Sequence, residues 1–273
     1  MCEHYLRECD ILAPCCNKYY SCRLCHDDDE ENEFDHKVDR TKVIKIRCRK
    51  CQKEQTPDQK CVNDDCQTEF GSYFCSICNL WESNPDRDIF HCHQCGICRV
   101  GKVEELFHCE KCVMCLNIQL KDNHKCLEKS FQTACPICSE EMFDSTSNAS
   151  LLPCGHTMHA ECYKEYVKHS YKCPLCKKTV ADLSIYWQNL KDQVDTLIIP
   201  NIPYEASNWK TEIYCNDCGE KTTVKYCFQY HQCTNSECGS FNTDILNIIK
   251  DDPIPNPDDE EDAGGVAPLF DDI

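Results

Sequence analysis

Cys135-Pro136-Ile137-Cys138, Cys154-Gly155-His156, His159-Ala160-Glu161-Cys162 and Cys173-Pro174-Leu175-Cys176 place eight metal-type side chains in 42 residues, in the order Cys-x2-Cys-x15-Cys-x-His-x2-His-x2-Cys-x10-Cys-x2-Cys. Thiolate and imidazole are the donors that four-coordinate zinc takes in closed structural sites, and eight donors serve two ions. The rest of the chain repeats this chemistry. Its 273 residues hold 30 Cys and 11 His but only 8 Gly. The hydrophobic fraction is 41%, and without cysteine it falls to about 30%, thin for one large core. Disulfides or metal must supply what apolar burial does not. The sequence begins Met1-Cys2-Glu3-His4, and no apolar run is long enough for a signal peptide or a membrane span. The expectation is therefore a chain in the reducing cytoplasm or nucleus, where persistent disulfides are rare, and this favours metal.

The eight-donor stretch is the RING pattern in its two-histidine form. A LIM or treble-clef pattern lacks the Cys-x-His-x2-His centre. The resemblance to a RING implies its cross-braced topology, which would pair Cys135, Cys138, His159 and Cys162 on one ion and Cys154, His156, Cys173 and Cys176 on the other.

Three further blocks surround it. The first holds Cys2, His4, Cys15, Cys16, Cys22, Cys25, His26, His36, Cys48, Cys51, Cys61 and Cys66, and the second Cys75, Cys78, His91, Cys92, Cys95, Cys98, His108, Cys109, Cys112, Cys115, His124 and Cys126. Twelve donors suit three ions in each block, with the pairing left open. The second block repeats itself: His91-Cys92-x2-Cys95-x2-Cys98 recurs as His108-Cys109-x2-Cys112-x2-Cys115, and His124-x-Cys126 looks like a truncated third copy. So short a repeat with so few apolar residues implies a zinc-stitched ladder. In the last block Cys215, Cys218, Cys233 and Cys238 flank an alternating stretch, Thr223 to Gln232, as in a one-zinc ribbon. Nine zinc ions and 36 ligands result, leaving out Cys9, Cys227, His93, His169 and His231. His93 stands beside Cys92 and is the alternative most open to exchange.

Leu183, Trp187, Leu190, Val194 and Leu197 follow helical spacing, which predicts an amphipathic helix over 180–198 packed on the RING or on a partner, and Ile199 to Pro203 reads as a linker. The formal charge is −18, and nine acids lie after Lys250 with no Lys or Arg among them, so 251–273 reads as an acidic disordered tail. The acidic balance makes nucleic acid an unexpected partner. The basic stretch Lys37, Arg40, Lys42, Lys45, Arg47, Arg49 and Lys50 is best read as a solvated strand and loop offset by the acidic run Asp27 to Glu31.

Cys2-Glu3-His4-Tyr5, Ala13-Pro14-Cys15-Cys16 and Cys22-Arg23-x-Cys25-His26-Asp27 resemble the CHY-type zinc finger. Phe70-Gly71-x-Tyr73-x-Cys75, Cys95-Gly96-Ile97-Cys98-Arg99-Val100-Gly101 and Phe107-His108-Cys109-x2-Cys112 resemble the CTCHY-type finger that follows it. With the RING and the ribbon motif Ile213-Tyr214-Cys215-Asn216-Asp217-Cys218, the order resembles that of RING finger and CHY zinc finger ubiquitin ligases over nearly the whole chain. The gaps Cys61-x4-Cys66 and Cys233-x4-Cys238 are wider than usual, and the acidic tail is an addition. The expected fold class is a set of small zinc-stabilised modules with little regular secondary structure. They are a CHY finger (1–68), a CTCHY finger (70–134), a cross-braced, ββα-like RING (135–177), the helix (180–198), a β zinc ribbon (211–246) and the tail (251–273).

The resemblance implies a RING-type ubiquitin ligase of nucleus and cytoplasm, with no covalent ubiquitin intermediate and no membrane partner. Such a ligase docks a ubiquitin-charged conjugating enzyme and promotes ubiquitination of a substrate and its proteasomal degradation. It also implies roles. Ile137, Pro174 and Leu175 fall where RING proteins offer an apolar patch to the conjugating enzyme, Tyr166 stands where many carry a tryptophan, and Lys177 occupies the place of an arginine that clamps ubiquitin. Lysine there is a point charge without the planar fork, a weaker clamp. The alternative is a non-enzymatic zinc-finger scaffold or a transcription-associated binder of nucleic acid or protein.

Overall fold

The computed structural model describes residues 2–29 and 36–252, and the chain forms two compact units, Met1–Gln132 and Thr133–Ile273. Glu30 and Glu31 of the acidic run, and the tail from Pro253 onward, lie outside the described residues.

In the first unit, β1 (Cys9–Leu12), β2 (Tyr19–Tyr20), β3 (Ile46–Cys48) and β4 (Glu54–Gln55) form one antiparallel sheet in the order β2-β1-β3-β4. Strand side chains alternate in direction, so Cys9 and Ile11 of β1 and Ile46 and Cys48 of β3 all point inward. The short helix α1 (Arg23–Asp27) follows β2. Three two-stranded hairpins come next: β5 (Tyr73–Cys75) with β6 (Leu80–Glu82), β7 (Ile89–Cys92) with β8 (Ile97–Val100), and β9 (Leu106–Cys109) with β10 (Met114–Asn117). The core runs across the first two sequence blocks, because Phe70 and Trp81 are fully buried with Ile11, Val43 and Ile46. Trp81 stacks on Phe74 and donates its indole N–H to the Asp58 carbonyl at 2.8 Å. Glu82, almost wholly buried, accepts from the Leu6 N–H at 2.9 Å and from Arg87 at 3.0 Å, so its charge is paired where an unpaired one would be costly.

Much of the basic stretch is used inside this unit. Arg47 and Arg49 both bind Asp10, Arg47 also lies over the Tyr19 ring, Lys45 meets Glu54 and Lys42 meets Asp39.

In the second unit, β11 (Ala149–Leu151) pairs with β12 (Thr157–His159), and α2 (Ala160–Tyr166) follows, giving a ββα unit. Met142, Leu152, Met158 and Val180 are buried among Cys135, Cys154 and Cys173. The ribbon is a three-stranded sheet in the order β14-β13-β15, made of β13 (Lys210–Cys215), β14 (Lys221–Lys225) and β15 (Thr243–Ile249).

Two expectations are corrected in this unit. The helix over 180–198 is α3 (Ser184–Gln193) continued by a wider π turn, Val194–Ile198. In that turn each residue advances by less than the α-helical 100°, so Leu197 rotates out into solvent and Ile198 joins Trp187, Leu190 and Val194 on the packed side. This face packs on the ribbon, against Cys227, Tyr230 and Phe241, and Trp187 meets Tyr171 of the RING with the two rings edge to face. The strand expected from Thr223 to Gln232 ends at Lys225. Tyr226 still donates its N–H to Trp209, but burial of Cys227 against Leu190 and Phe241 draws the chain off the sheet. The third strand is supplied by Thr243–Ile249 instead, running past the expected limit at 246.

Candidate metal centres

Cys22-x2-Cys25 runs on into α1, but the typical cysteine pair ends in one backbone turn. The residue after its second cysteine has positive φ in ten places: Asn17, Gln52, Gln67, Asn79, Gly96, Val113, Ser139, Lys177, Gly219 and Gly239. In the x2 pairs the N–H of that residue reaches back to the first cysteine's carbonyl, as from Val113 to Cys109 at 2.8 Å and from Lys177 to Cys173 at 2.9 Å. Amides within the turn point at sulfur: Cys25, Cys78 and Cys95 donate to Cys22, Cys75 and Cys92 at 3.3–3.4 Å. For Val113 this conformation is strained, and closing the turn around a metal holds it there.

All 30 cysteines are free thiols. Among the described residues, nine groups of three or more ligand-type side chains converge so that their donor atoms lie within 4.8 Å of one another. Tetrahedral zinc with bonds near 2.3 Å to sulfur requires donors about 3.8 Å apart, slightly less where nitrogen takes part. Cys22, Cys25 and His4 Nδ1 are 3.5–3.6 Å apart, Cys48 and Cys66 3.8 Å, and Cys215 and Cys238 3.7 Å. The separations and the all-sulfur-and-nitrogen donor set fit zinc.

The pairing left open by the sequence follows from strand geometry. His91 and Cys98 face each other across the β7–β8 hairpin and join Cys75 and Cys78, with His91 Nδ1 at 3.5 and 3.3 Å from those sulfurs. Cys92 points to the opposite face and joins Cys95, His108 and Cys115. His108 and Cys115 are in turn cross-strand partners of β9–β10, while Cys109 goes on to Cys112, His124 and Cys126. Each copy of the repeat is therefore split between two groups. In the first block, Cys2 and His4 join Cys22 and Cys25, whereas Cys48, Cys51, Cys61 and Cys66 form one group. Between these, Cys15 Sγ lies 3.1 Å from His26 Nε2, and the His36 ring packs edge-on against His26. His26 Nδ1–H donates to Asp27 at 2.9 Å and His124 Nδ1–H to the Leu120 carbonyl at 2.7 Å, which turns Nε2 toward sulfur in both.

In the RING, Cys138 lies 3.3 Å from His159 Nδ1, and His156 Nδ1 lies 3.5 Å from Cys154 and 3.6 Å from Cys173. In the ribbon, Cys218 and Cys233 are 3.6 Å apart. Thiol energetics differ between groups. Cys95 is pulled down to about 4, chiefly by a hydrogen bond from Cys115, and Cys78 to about 5, chiefly by one from Cys98. Cys9, enclosed in the sheet core, is pushed up to about 12 by burial and stays a neutral thiol. Cys227 is buried in the helix–ribbon cluster, His231 is buried with Nε2 3.1 Å from Thr211 Oγ1, His93 packs its ring edge-on against His91, and His169 is exposed beside Glu165.

Ile137 and Leu175 are 41% and 57% exposed, each inside a Cys-x2-Cys turn, and Pro174 is exposed beside Leu175. Tyr166 is half-buried and donates its hydroxyl to the Lys172 carbonyl at 2.8 Å. Lys177 is exposed, with Nζ 3.4 Å from Asp244 on β15. Behind it lies a polar cluster that the sequence does not announce. Asp217 accepts the Thr179 N–H at 2.7 Å, the Thr179 hydroxyl at 2.8 Å and the Ser240 hydroxyl at 2.6 Å. Burial works to raise its carboxyl, but these hydrogen bonds win and hold it below the usual value.

The CHY zinc finger family profile matches residues 2–73, the Ring finger domain 133–177 and a Zinc-ribbon 181–244, the last taking in α3. The E3 ubiquitin-protein ligase SRFP1 of Oryza sativa subsp. japonica is 41% identical over 243 residues, covering 89% of this chain and 90% of that protein. The E3 ubiquitin-protein ligase RZFP34 of Arabidopsis thaliana is 40% identical over 248 residues, covering 89% and 83%. Zinc finger protein BRUTUS of Arabidopsis thaliana is 40% identical over 257 residues, 93% of this chain, and the chain spans only 19% of its length. The two BRUTUS-like proteins of that plant are also spanned over only 19% of their length.

Proposed function

The chain belongs to the RING finger and CHY zinc finger family of E3 ubiquitin-protein ligases, and from that premise we propose that it is itself a RING-type ligase. A ubiquitin-charged conjugating enzyme docks on Ile137, Pro174 and Leu175, with Tyr166 bracing the loop behind them. The acceptor lysine's amine attacks the thioester carbonyl, an isopeptide bond forms, and the conjugating enzyme's thiol leaves. The RING contributes orientation, holding the thioester in a reactive conformer. Lys177 sits where a cation would touch ubiquitin.

Nine zinc ions on the 36 ligands named above complete this reading. When bound, the metal supplies folding energy, about 10–16 kcal/mol per site on the scale of zinc-finger peptides. Each site takes four protein donors and leaves no position for water, so the ions shape the surface and do not react. The CHY and CTCHY fingers and the ribbon recruit the substrate, for proteasomal degradation, in nucleus and cytoplasm. The observation that carries the ligase reading is the pair of exposed apolar residues, Ile137 and Leu175, inside two cysteine turns of the RING. Its test is autoubiquitination with a panel of conjugating enzymes, with and without a chelator. Product that disappears on chelation supports it, and no product with any enzyme of the panel overturns it.

Several basic residues from Lys42 to Arg49 are engaged with Asp39, Asp10 and Glu54, which speaks against a nucleic-acid role for that strand. A salt-dependent affinity for DNA or RNA would revive the scaffold alternative.

A further inference from the structure

The last turn of the RING is held from outside the RING. Asn242 of the ribbon, wholly buried, donates from Nδ2 to the Lys177 carbonyl at 2.8 Å and toward Thr179 Oγ1 at 3.2 Å. Asp217, inside the first cysteine pair of the ribbon, takes both the N–H and the hydroxyl of Thr179, and Lys178 Nζ donates to the Asp217 carbonyl. Three successive residues after the final RING ligand are thus bonded to three ribbon side chains, those of Asn242, Asp217 and Asp244, and to one ribbon carbonyl. The partners differ in weight. The Lys177–Asp244 ion pair is exposed on both sides and weakly held, whereas the bonds to the Asp217 carboxylate are half-buried and those from Asn242 start from a wholly buried amide, which would be left unmet if they were lost.

Lys177 therefore leaves a main chain held both by its own bond to the Cys173 carbonyl and by the ribbon, and its ammonium is drawn toward β15. We infer that Asn242 and Asp217 are positioning residues for ubiquitin transfer: the ribbon fixes the corner of the RING from which Lys177 reaches ubiquitin, in addition to any part it takes in holding substrate. This rests on the ligase reading above. It accounts for Asp217 between the ribbon cysteines, a carboxylate that zinc binding alone does not require. It also separates two steps. Docking of the conjugating enzyme uses Ile137 and Leu175, whereas the ribbon side chains named here bond to residues 177–179, and the reactive arrangement of ubiquitin depends on where Lys177 stands.

The test uses the full, zinc-loaded chain and measures single-turnover discharge of a charged conjugating enzyme to free lysine over a range of enzyme concentrations. Asn242→Ala is expected to lower the saturating rate by about tenfold while leaving the half-saturating concentration and the zinc content unchanged. In a cycle with Lys177→Ala, the second substitution should add little to the first, because both act through one side chain. Thr179→Val, nearly isosteric and on the RING side, should lower the rate in the same direction and covers the case in which Asn242→Ala fails to fold. A wild-type rate in both single variants, a loss confined to the half-saturating concentration, or strict additivity overturns the inference. Amide exchange of the Thr179 N–H in the unmodified chain is independent of activity: protection supports the contact with Asp217, and free exchange overturns it. Thr179 protected in a chain that discharges no conjugating enzyme would mean that the ligase reading has failed while the contact stands, and the positioning role would fall with that reading.

Discussion

His91 and Cys92 are adjacent in the chain yet serve different metal groups: His91 Nδ1 faces Cys75 and Cys78, and Cys92 lies on the other side of β7 with Cys95 and His108. Strand side chains alternate in direction, so the β7–β8 and β9–β10 hairpins each stand between two groups and are pinned on both faces. Neighbouring sites consequently share backbone and should fold together.

His91→Ala is expected to remove one zinc from the full chain and to loosen the adjoining group of Cys92, Cys95, His108 and Cys115, because Cys92 and His91 are fixed by the same strand. His93→Ala, whose ring packs edge-on against His91, should keep the full zinc content. Metal analysis of the two purified variants distinguishes them, and equal loss in both would refute the assignment.

Ile137→Ala should leave zinc content intact and reduce ubiquitin discharge to free lysine by about tenfold, the effect of truncating one well-packed contact residue at an interface. Discharge at the unmodified rate would sink the docking role given to this exposed side chain.

Cys9 predicts an alkaline effect. Its folded pKa, about 12, lies above the ordinary thiol value of 9.0. An acid whose neutral form is favoured by folding holds more protons folded than unfolded between those values, so stability falls as pH rises from 9 toward 12. Cys9→Ala should flatten that part of the stability curve and retain all bound zinc, whereas Cys48→Ala, its cross-strand neighbour, should lose a metal. Denaturant melts of wild type and Cys9→Ala at pH 8 and 10 measure the first effect.

Trp187 lies between Tyr171 of the RING and Phe241 of the ribbon, with ring centroids 5.5 and 5.8 Å away. Trp187→Ala should destabilise the second unit by about 3 kcal/mol, as expected for emptying a largely packed aromatic site. Thermal melts with bound zinc held constant would show it, and a change below about 0.5 kcal/mol, the range of an ordinary surface substitution, would mean that the helix does not join the two modules.

The sequence by itself determined the donor inventory, the two-histidine RING spacing, the repeat and the family, because zinc limits which side chains serve and short turns limit their spacing. It also marked an apolar helical face, though not the wider turn that carries Ile198 in place of Leu197, since the helix pattern assumes one constant advance per residue. Tertiary structure alone decided which donors share a group in the first two blocks. His91 and Cys92 separate because a strand alternates its faces, and Cys2 and His4 meet Cys22 and Cys25 only once the chain has folded back through β1 and β2. It alone also joined Asn242 to Lys177 across 65 residues, since a buried amide takes its partner from whatever backbone packing brings beside it.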